Sequence, residues 1–365
     1  MKNGRFNKII LLSVLIIFFN SCTNRKQSKE QEQIATENQS KKKAENDIIK
    51  LKFTSGIRSI LEDSKGNIWF GSHQEGVAKF DGNHFTYYTK NEGLSDMQIR
   101  SIYEYENGEI WFEGGEGLSS YDGTKITERA KRNFNSKGNW NLIKKSLWFK
   151  GDKATGYNEF EEKPGVYQYD GKEISYRAFP IRPKEGEENY YSITTPFVKS
   201  KNGNIWFGTY GAAIAYKGSD FKIIDNELLG LNEETGFLHI RSLMEDSKGN
   251  IWIGNNGIGV FKYDGTELIN FTELNELKQK NTNGNSLERV FAISEDDSGN
   301  IWFGTAESGV WKYDGSTFVN FSKENGLESN QIWTIYRANN GELWFGGASA
   351  SGVYIFNGTS FERKY

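Results

Sequence analysis

Arg58, Arg100 and Arg241 each stand second in an Ile-Arg-Ser triplet, and the matching positions further along the chain hold Phe291 and Trp333. Three guanidiniums gathered near one axis would attract carboxylate, sulfate or phosphate and hold it in bidentate fashion. The two aromatic rings suit stacking on a sugar or a peptide. His73, Tyr210, Asn255 and Asn256 fall in connections that would share the same rim, and they extend the candidate binding set. A competing reading pairs each arginine with a neighbouring Glu62, Glu104 or Glu245, and treats the His73, Tyr210 and asparagine positions as ordinary loop polarity.

Signals for catalysis are sparse. The histidines are His73, His84 and His239, the single cysteine is Cys22, and no HExxH, GxSxG or CxxC pattern occurs. Glu113 and Glu116 have the look of a glycosidase pair, yet a chain with 48 acidic residues yields such pairs by chance. The Asp-Ser-Lys-Gly-Asn segments resemble calcium loops faintly but lack the later bidentate Glu. No catalytic residue, metal or cofactor is therefore expected.

The elements that must position these residues are repeated. A Trp in "GNIW" or a variant of it recurs at Trp69, Trp111, Trp148, Trp206, Trp252, Trp302 and Trp344. Periods of this size suggest propeller blades of four strands. In the first unit IRSILED reads as strand A, NIWFGS as B, GVAKF as C and HFTYYT as D. Gly66 supplies the positive φ of the A–B turn, and Asp81-Gly82 is a hairpin signal between C and D. The third unit is degenerate, keeping LWFKG and GVYQYDGKEISY around a swollen B–C connection. The expected fold is all-β: a seven-bladed β-propeller with four antiparallel strands per blade over residues 48–365. The repeated Trp should pack between blades. The IIKLKF stretch ahead of the first unit would either add a latching strand or simply lead in.

Strands in a blade alternate in direction, so the A–B and C–D turns share one face of the disc. The B–C and D–A connections share the other. The first set is monotonous (DSKGN, YENGE, SKNGN), whereas the second varies in length and content. The individuality of the chain therefore gathers at one rim, on loops held by a rigid scaffold.

The pattern IxxIxEDxxGNIWFGT…GVxKYDG resembles the two-component regulator propeller repeat over about residues 55–365. That resemblance implies the propeller fold and extracytoplasmic recognition, as in the periplasmic sensor regions of hybrid two-component systems. The sequence contains no following β-domain, membrane helix or kinase segment, so kinase activity is not expected of it. Some seven-bladed propellers are lyases that use a channel histidine and a metal, and His73 with His239 is the pair that would imitate them.

Lys2, Arg5 and Lys8 precede the apolar run IILLSVLIIFF, which is too short to span a bilayer and reads as a secretory signal over residues 1–21. It ends in FNSC, which resembles a bacterial lipoprotein signal and implies lipidation of Cys22. Residues 22–47 are almost without apolar side chains and form a flexible tether. The residues after Cys22 include Arg25 and Lys26 rather than an acidic run, which favours a periplasm-facing anchor. With a net charge of −3 and no basic stripe, nucleic acid is not an expected partner. The expected protein is a lipid-tethered, monomeric, non-catalytic recognition module of the cell envelope. It would bind a glycan, a peptide or an envelope protein. The alternative is a periplasmic hydrolase or lyase with its site at the channel mouth.

Overall fold

The computed structural model describes residues 50–131, 146–150, 165–179, 191–218, 220–282, 284–348 and 352–365. The signal, Cys22, the tether, Ile48 and Ile49 lie outside the described residues, as does the swollen connection of the third unit. Leu51–Tyr365 form one compact unit. Within it are seven antiparallel sheets, each of strands consecutive in the chain. The first pairs Ile57–Glu62, Ile68–Ser72, Val77–Phe80 and Phe85–Tyr88 in that order. Six sheets have four strands, and the third has three described strands, Leu147–Lys150, Gly165–Tyr169 and Ile174–Ala178. The chain is a seven-bladed β-propeller. Among the described residues no helix is long and apolar enough to cross a membrane.

The repeat motif follows from what its Trp needs. Trp69 is fully buried, so its indole N–H must find an acceptor. Asp63, six residues earlier, accepts it at 2.8 Å, while its other oxygen accepts the backbone N–H of Lys65 and Asn67 at 3.0 and 2.8 Å. Gly66 (φ 80°) closes the turn that brings the carboxylate round. Asp246 and Asp296 serve Trp252 and Trp302 in the same way at 2.8 and 2.7 Å. In the second and seventh blades the acidic residue has moved to the far end of the turn. There Glu109 and Glu342 accept from Trp111 and Trp344 at 3.2 and 2.6 Å. Directly across the sheet from the indole stands a lysine. Lys79, Lys262 and Lys312 place their ammoniums 5.5, 5.4 and 5.3 Å from the ring centroids of Trp69, Trp252 and Trp302.

The core lies between blades rather than inside any one of them. Most indoles pack on an aromatic of the next blade, as Trp69 does on Phe112 and Trp302 on Phe345, both at 5.5 Å, while Trp344 meets Tyr336 and Tyr365. Two positions beyond the Trp comes a glycine in five blades, where the next blade leaves no room for more, while the second and third blades have Glu113 and Lys150 there. A Cβ on Gly304 would lie 2.8 Å from Ile332 Cγ2. On the turn face a second seam repeats. In four blades the last residue of strand A is a Glu that accepts backbone N–H groups from the A–B turn of the preceding blade. Glu62 takes Asn339 N, Glu104 takes Ser64 N, Glu245 takes Lys201 N and Glu295 takes Ser247 N, at 2.8, 2.8, 2.9 and 2.6 Å.

Closure uses no exchanged strand. Blade 7 contains its own four strands, ending at Phe361–Arg363. Its first strand, Ile332–Arg337, lies against Ile57–Glu62 of blade 1. Residues 51–53 form no strand, yet Leu51 and Phe53 are buried in the cluster that joins Trp344 to Phe70. Tyr365 completes that cluster with ring contacts to Phe70 and Phe80 at 5.2 and 5.5 Å. The lead-in and the last residue thus plug the seam from both ends. Removing the Tyr365 ring leaves a cavity in the seam that carries closure. Tyr365→Ala should lower stability to urea by about 3 kcal/mol, near the low end for a buried aromatic. An unchanged denaturation midpoint would show that the seam does not depend on it.

A ring of bulged residues at the channel mouth

In five blades strand A carries a β-bulge at the same place. Ile57 pairs with Ser72 and Ser59 with Gly71, which leaves Arg58 as the extra residue. The same shift makes Arg100, Arg241, Phe291 and Trp333 the extra residue of their blades. A bulge takes a side chain out of the alternation and re-aims it. Here the flanking residues are buried, except Thr334, whereas all five bulged residues are half-buried. The sequence positions chosen above are therefore one structural position, repeated around the axis.

Contacts join them into a rim. The Arg58 guanidinium lies 4.7 Å from the centroid of Trp333, and its Nε and Nη2 are 3.3 and 3.1 Å from His73 Nδ1. His73 also meets Trp333 edge-on at 5.4 Å and Gln98 Nε2 at 3.3 Å, and Gln98 Oε1 accepts from Arg100 Nε at 3.4 Å. This group spans blades 7, 1 and 2. On the other side Arg241 lies 5.1 Å from the Phe291 centroid, and Tyr210 packs on His239 at 4.7 Å. Asn256 links His239, at 3.4 Å, to Arg289 Nε, at 2.8 Å, and Arg289 pairs with Glu307. The two sides feel each other. Burial, then the charge of Arg241, then that of Arg100, lower the Arg58 pKa to about 10. Like charges in a partly dry mouth are disfavoured, and an anion among them would relieve the repulsion.

The proposed carboxylate partners are elsewhere. Glu62, Glu104 and Glu245 are the inter-blade acceptors of the turn face, at the opposite end of the strands from the arginines. Among the described residues Arg58 has no carboxylate partner. Asn255 also departs from expectation. It ends strand Ile251–Asn255, is wholly buried, and its side-chain amide finds no hydrogen-bond partner. It is interior to the blade and does not form part of the exposed rim. Glu113 and Glu116 do not converge either. Glu113 is buried and accepts from Lys150 N at 2.9 Å, while Glu116 is exposed and faces Lys90 at 3.4 Å. His73 contacts blades 7, 1 and 2, and His239 contacts residues of blades 4 and 5, so they fall into separate groups.

Sequence reasoning missed Gln98 and Arg289. Both stand just ahead of strand A, as do His239 and Gln331, so a signal existed in the column before the Ile-Arg-Ser triplet.

The relatives of this architecture agree with it. The two-component regulator propeller model matches residues 52–74, 237–257, 285–307 and 326–349, which begin the first, fifth, sixth and seventh blades. Those four segments carry the two-component regulator propeller repeat. Among solved structures it is similar to one described as the extracellular domain of a hybrid two component system from B. thetaiotaomicron. That match has 20% identity and a TM-score of 0.59, covering 86% of this chain and 38% of that one. It is also similar to a streptogramin B lyase, with 14% identity, a TM-score of 0.56 and coverage of 82% and 92% of the two chains. YCF48 from Cyanidioschyzon merolae matches at 13% identity and a TM-score of 0.53, over 82% and 94%. No curated protein matches the chain. At these identities the solved structures establish the fold alone, and the chain spans about 38% of the length of the first of them.

Burial, Arg241 and Arg289 push the His239 pKa down from 6.5 to about 4, and burial with Arg58 lowers His73. The folded protein then binds fewer protons than the unfolded chain below pH 6.5. Stability from this source is full above pH 6.5 and falls as pH drops toward 4, by on the order of 2 kcal/mol for His239. His239→Gln should flatten the melting temperature across that window. A variant curve parallel to wild type would refute the assignment.

Proposed function

We propose that this chain is a non-catalytic recognition domain. An anionic group of its ligand enters the channel mouth among Arg58, Arg100 and Arg241, and Phe291 and Trp333 bracket the rest. The observation that carries the reading is the set of five bulges. They turn three guanidiniums and two aromatic rings onto one mouth while the remainder of each blade is spent on packing. Glycans, peptides and envelope proteins all offer carboxylates or sulfates with an apolar face beside them. The extracytoplasmic setting of the similar hybrid-system domain supports recognition outside the cytoplasm. The hydrolase or lyase reading would need His73 and His239 to converge, and their contacts argue against it.

The same proposal includes a membrane tether. It rests on the FNSC sequence and the polar stretch that follows it. Cys22→Ser should abolish incorporation of labelled palmitate and release the protein from the membrane fraction. Persistent labelling would remove Cys22 from the account.

Binding is tested directly with a sulfated disaccharide and an acidic peptide by calorimetry at low salt. A charged hydrogen bond contributes about 1.5–3 kcal/mol, so Arg58→Ala alone should weaken the better probe by about tenfold or more. The triple change of Arg58, Arg100 and Arg241 to Ala should remove saturable binding. Equal affinity in the triple variant would dismiss the mouth as the site.

A further inference from the structure

The fourth blade lacks both the acidic acceptor that five blades give their Trp and the cation that covers the indole in the other six; the third blade's Trp148 has the cation, but among the described residues its N–H has no acceptor. Ser200 stands where Asp63 stands in the first blade, and its hydroxyl is given to Glu245 at 2.5 Å. Ala215 stands directly across from Trp206, where Lys79, Lys262 and Lys312 face their own indoles. The remaining blades compensate. Arg129 covers Trp111, Lys199 covers Trp148 and Lys364 covers Trp344, at 5.7, 5.1 and 5.3 Å. Among the described residues Trp206 has neither cation nor acceptor, although it is only 2% exposed. Lys222, the strand-D residue opposite Ala215, turns to the Tyr263 ring at 3.9 Å instead.

The missing lysine leaves a space. In the first interface Lys79 lies 5.5 Å from the centroids of both Trp69 and Tyr121. In the fourth the matching rings, Trp206 and Tyr263, are 5.9 Å apart, and a cavity of about 370 Å³ is bounded by Trp206, Ala215, Lys217, Phe221, Lys222 and Tyr263. The Asn202 and Asn204 amides and the Asp220 carboxylate stand at its edge. This is the volume of a small ligand site. Its wall offers the half-buried Phe221 ring, the nearly buried edges of Trp206 and Tyr263, and two exposed ammoniums against one carboxylate, with Lys217 Nζ donating to Asn202 O at 3.2 Å and Lys222 Nζ to the Tyr263 hydroxyl. That combination suits a ring with an apolar face, hydroxyls and a negative charge.

From this we infer a second binding site, between the fourth and fifth blades on the turn face, for an acidic monosaccharide unit of the uronic acid class. The sugar's C–H face lies against the half-buried Phe221 ring, and its carboxylate faces Lys217 and Lys222. A hydroxyl takes the Trp206 N–H. The site is independent of the channel mouth, because the A–B and C–D turns that frame it lie at the opposite end of the strands.

Galacturonic acid is the probe, with galactose as the neutral control, both titrated into the whole protein by calorimetry. Saturable binding of galacturonate, at least about fivefold tighter than galactose, is expected. Ala215→Lys restores the lysine that three other blades accommodate, and it should weaken galacturonate by at least about tenfold with an unchanged melting temperature. Should Ala215→Lys unfold, Lys222→Gln should give the same loss. The triple arginine variant of the channel mouth should bind galacturonate like wild type. The proposal is overturned if wild type shows no saturable binding, if galactose binds equally well, or if Ala215→Lys or Lys222→Gln binds galacturonate undiminished. It is also overturned if the loss appears in the triple arginine variant instead, since galacturonate would then occupy the mouth.

Discussion

The ring depends on keeping a large indole dry in every blade and, in five of the seven, satisfied by a carboxylate. A buried Trp removes roughly 200 Å² from water, about 5 kcal/mol before entropy is counted. The same burial strands an N–H that costs about 1–3 kcal/mol if left without an acceptor. The repeat answers both demands within one hairpin. Asp63, Gly66, Trp69 and Lys79 are one device: the glycine turns the chain, the aspartate takes the N–H, and the lysine covers the ring. Acidic residues at either end of the turn serve, as Asp63 and Glu109 show, so the requirement is geometric rather than tied to one position.

Once packing is secured this way, the strand ends at the channel are free to differ. The bulge is what exploits that freedom. It takes one residue per blade out of the packing alternation, so Arg58, Phe291 and Trp333 replace one another without disturbing the neighbours that pair around them. A rim assembled from bulges has charge and shape set almost independently of stability.

The fold was legible because the Trp, the turn glycines and the Asp-Gly hairpins recur in register, and each has a local physical cause. The rim residues were legible as a column, since equal spacing from the Trp puts them at equal heights. Their partners were not. Glu62 and Arg58 are four residues apart in sequence, but the strand separates them to opposite ends, and the glutamate is used by the preceding blade. Asn255 looked like loop polarity because a strand end and a loop start read alike in a Gly-rich stretch. The bulge itself leaves no compositional trace, because its extra residue shows only in pairing. The lead-in was ambiguous for a related reason: Leu51 and Phe53 are apolar whether they pair as a strand or, as here, fill a seam.

The seam between the first and seventh blades repeats joints found elsewhere in the ring and adds a plug of its own. Trp344 shares a buried cluster with Phe70, Gly346 meets Ile57, Glu62 reaches back to the previous turn, and Leu51, Phe53 and Tyr365 fill the remaining space. Arg363 Nη2 even reaches the carbonyl of Leu51, at 3.4 Å. A chain reordered to start at another blade would therefore have to carry the segments around Leu51, Phe53 and Tyr365 with it for this joint to stay filled.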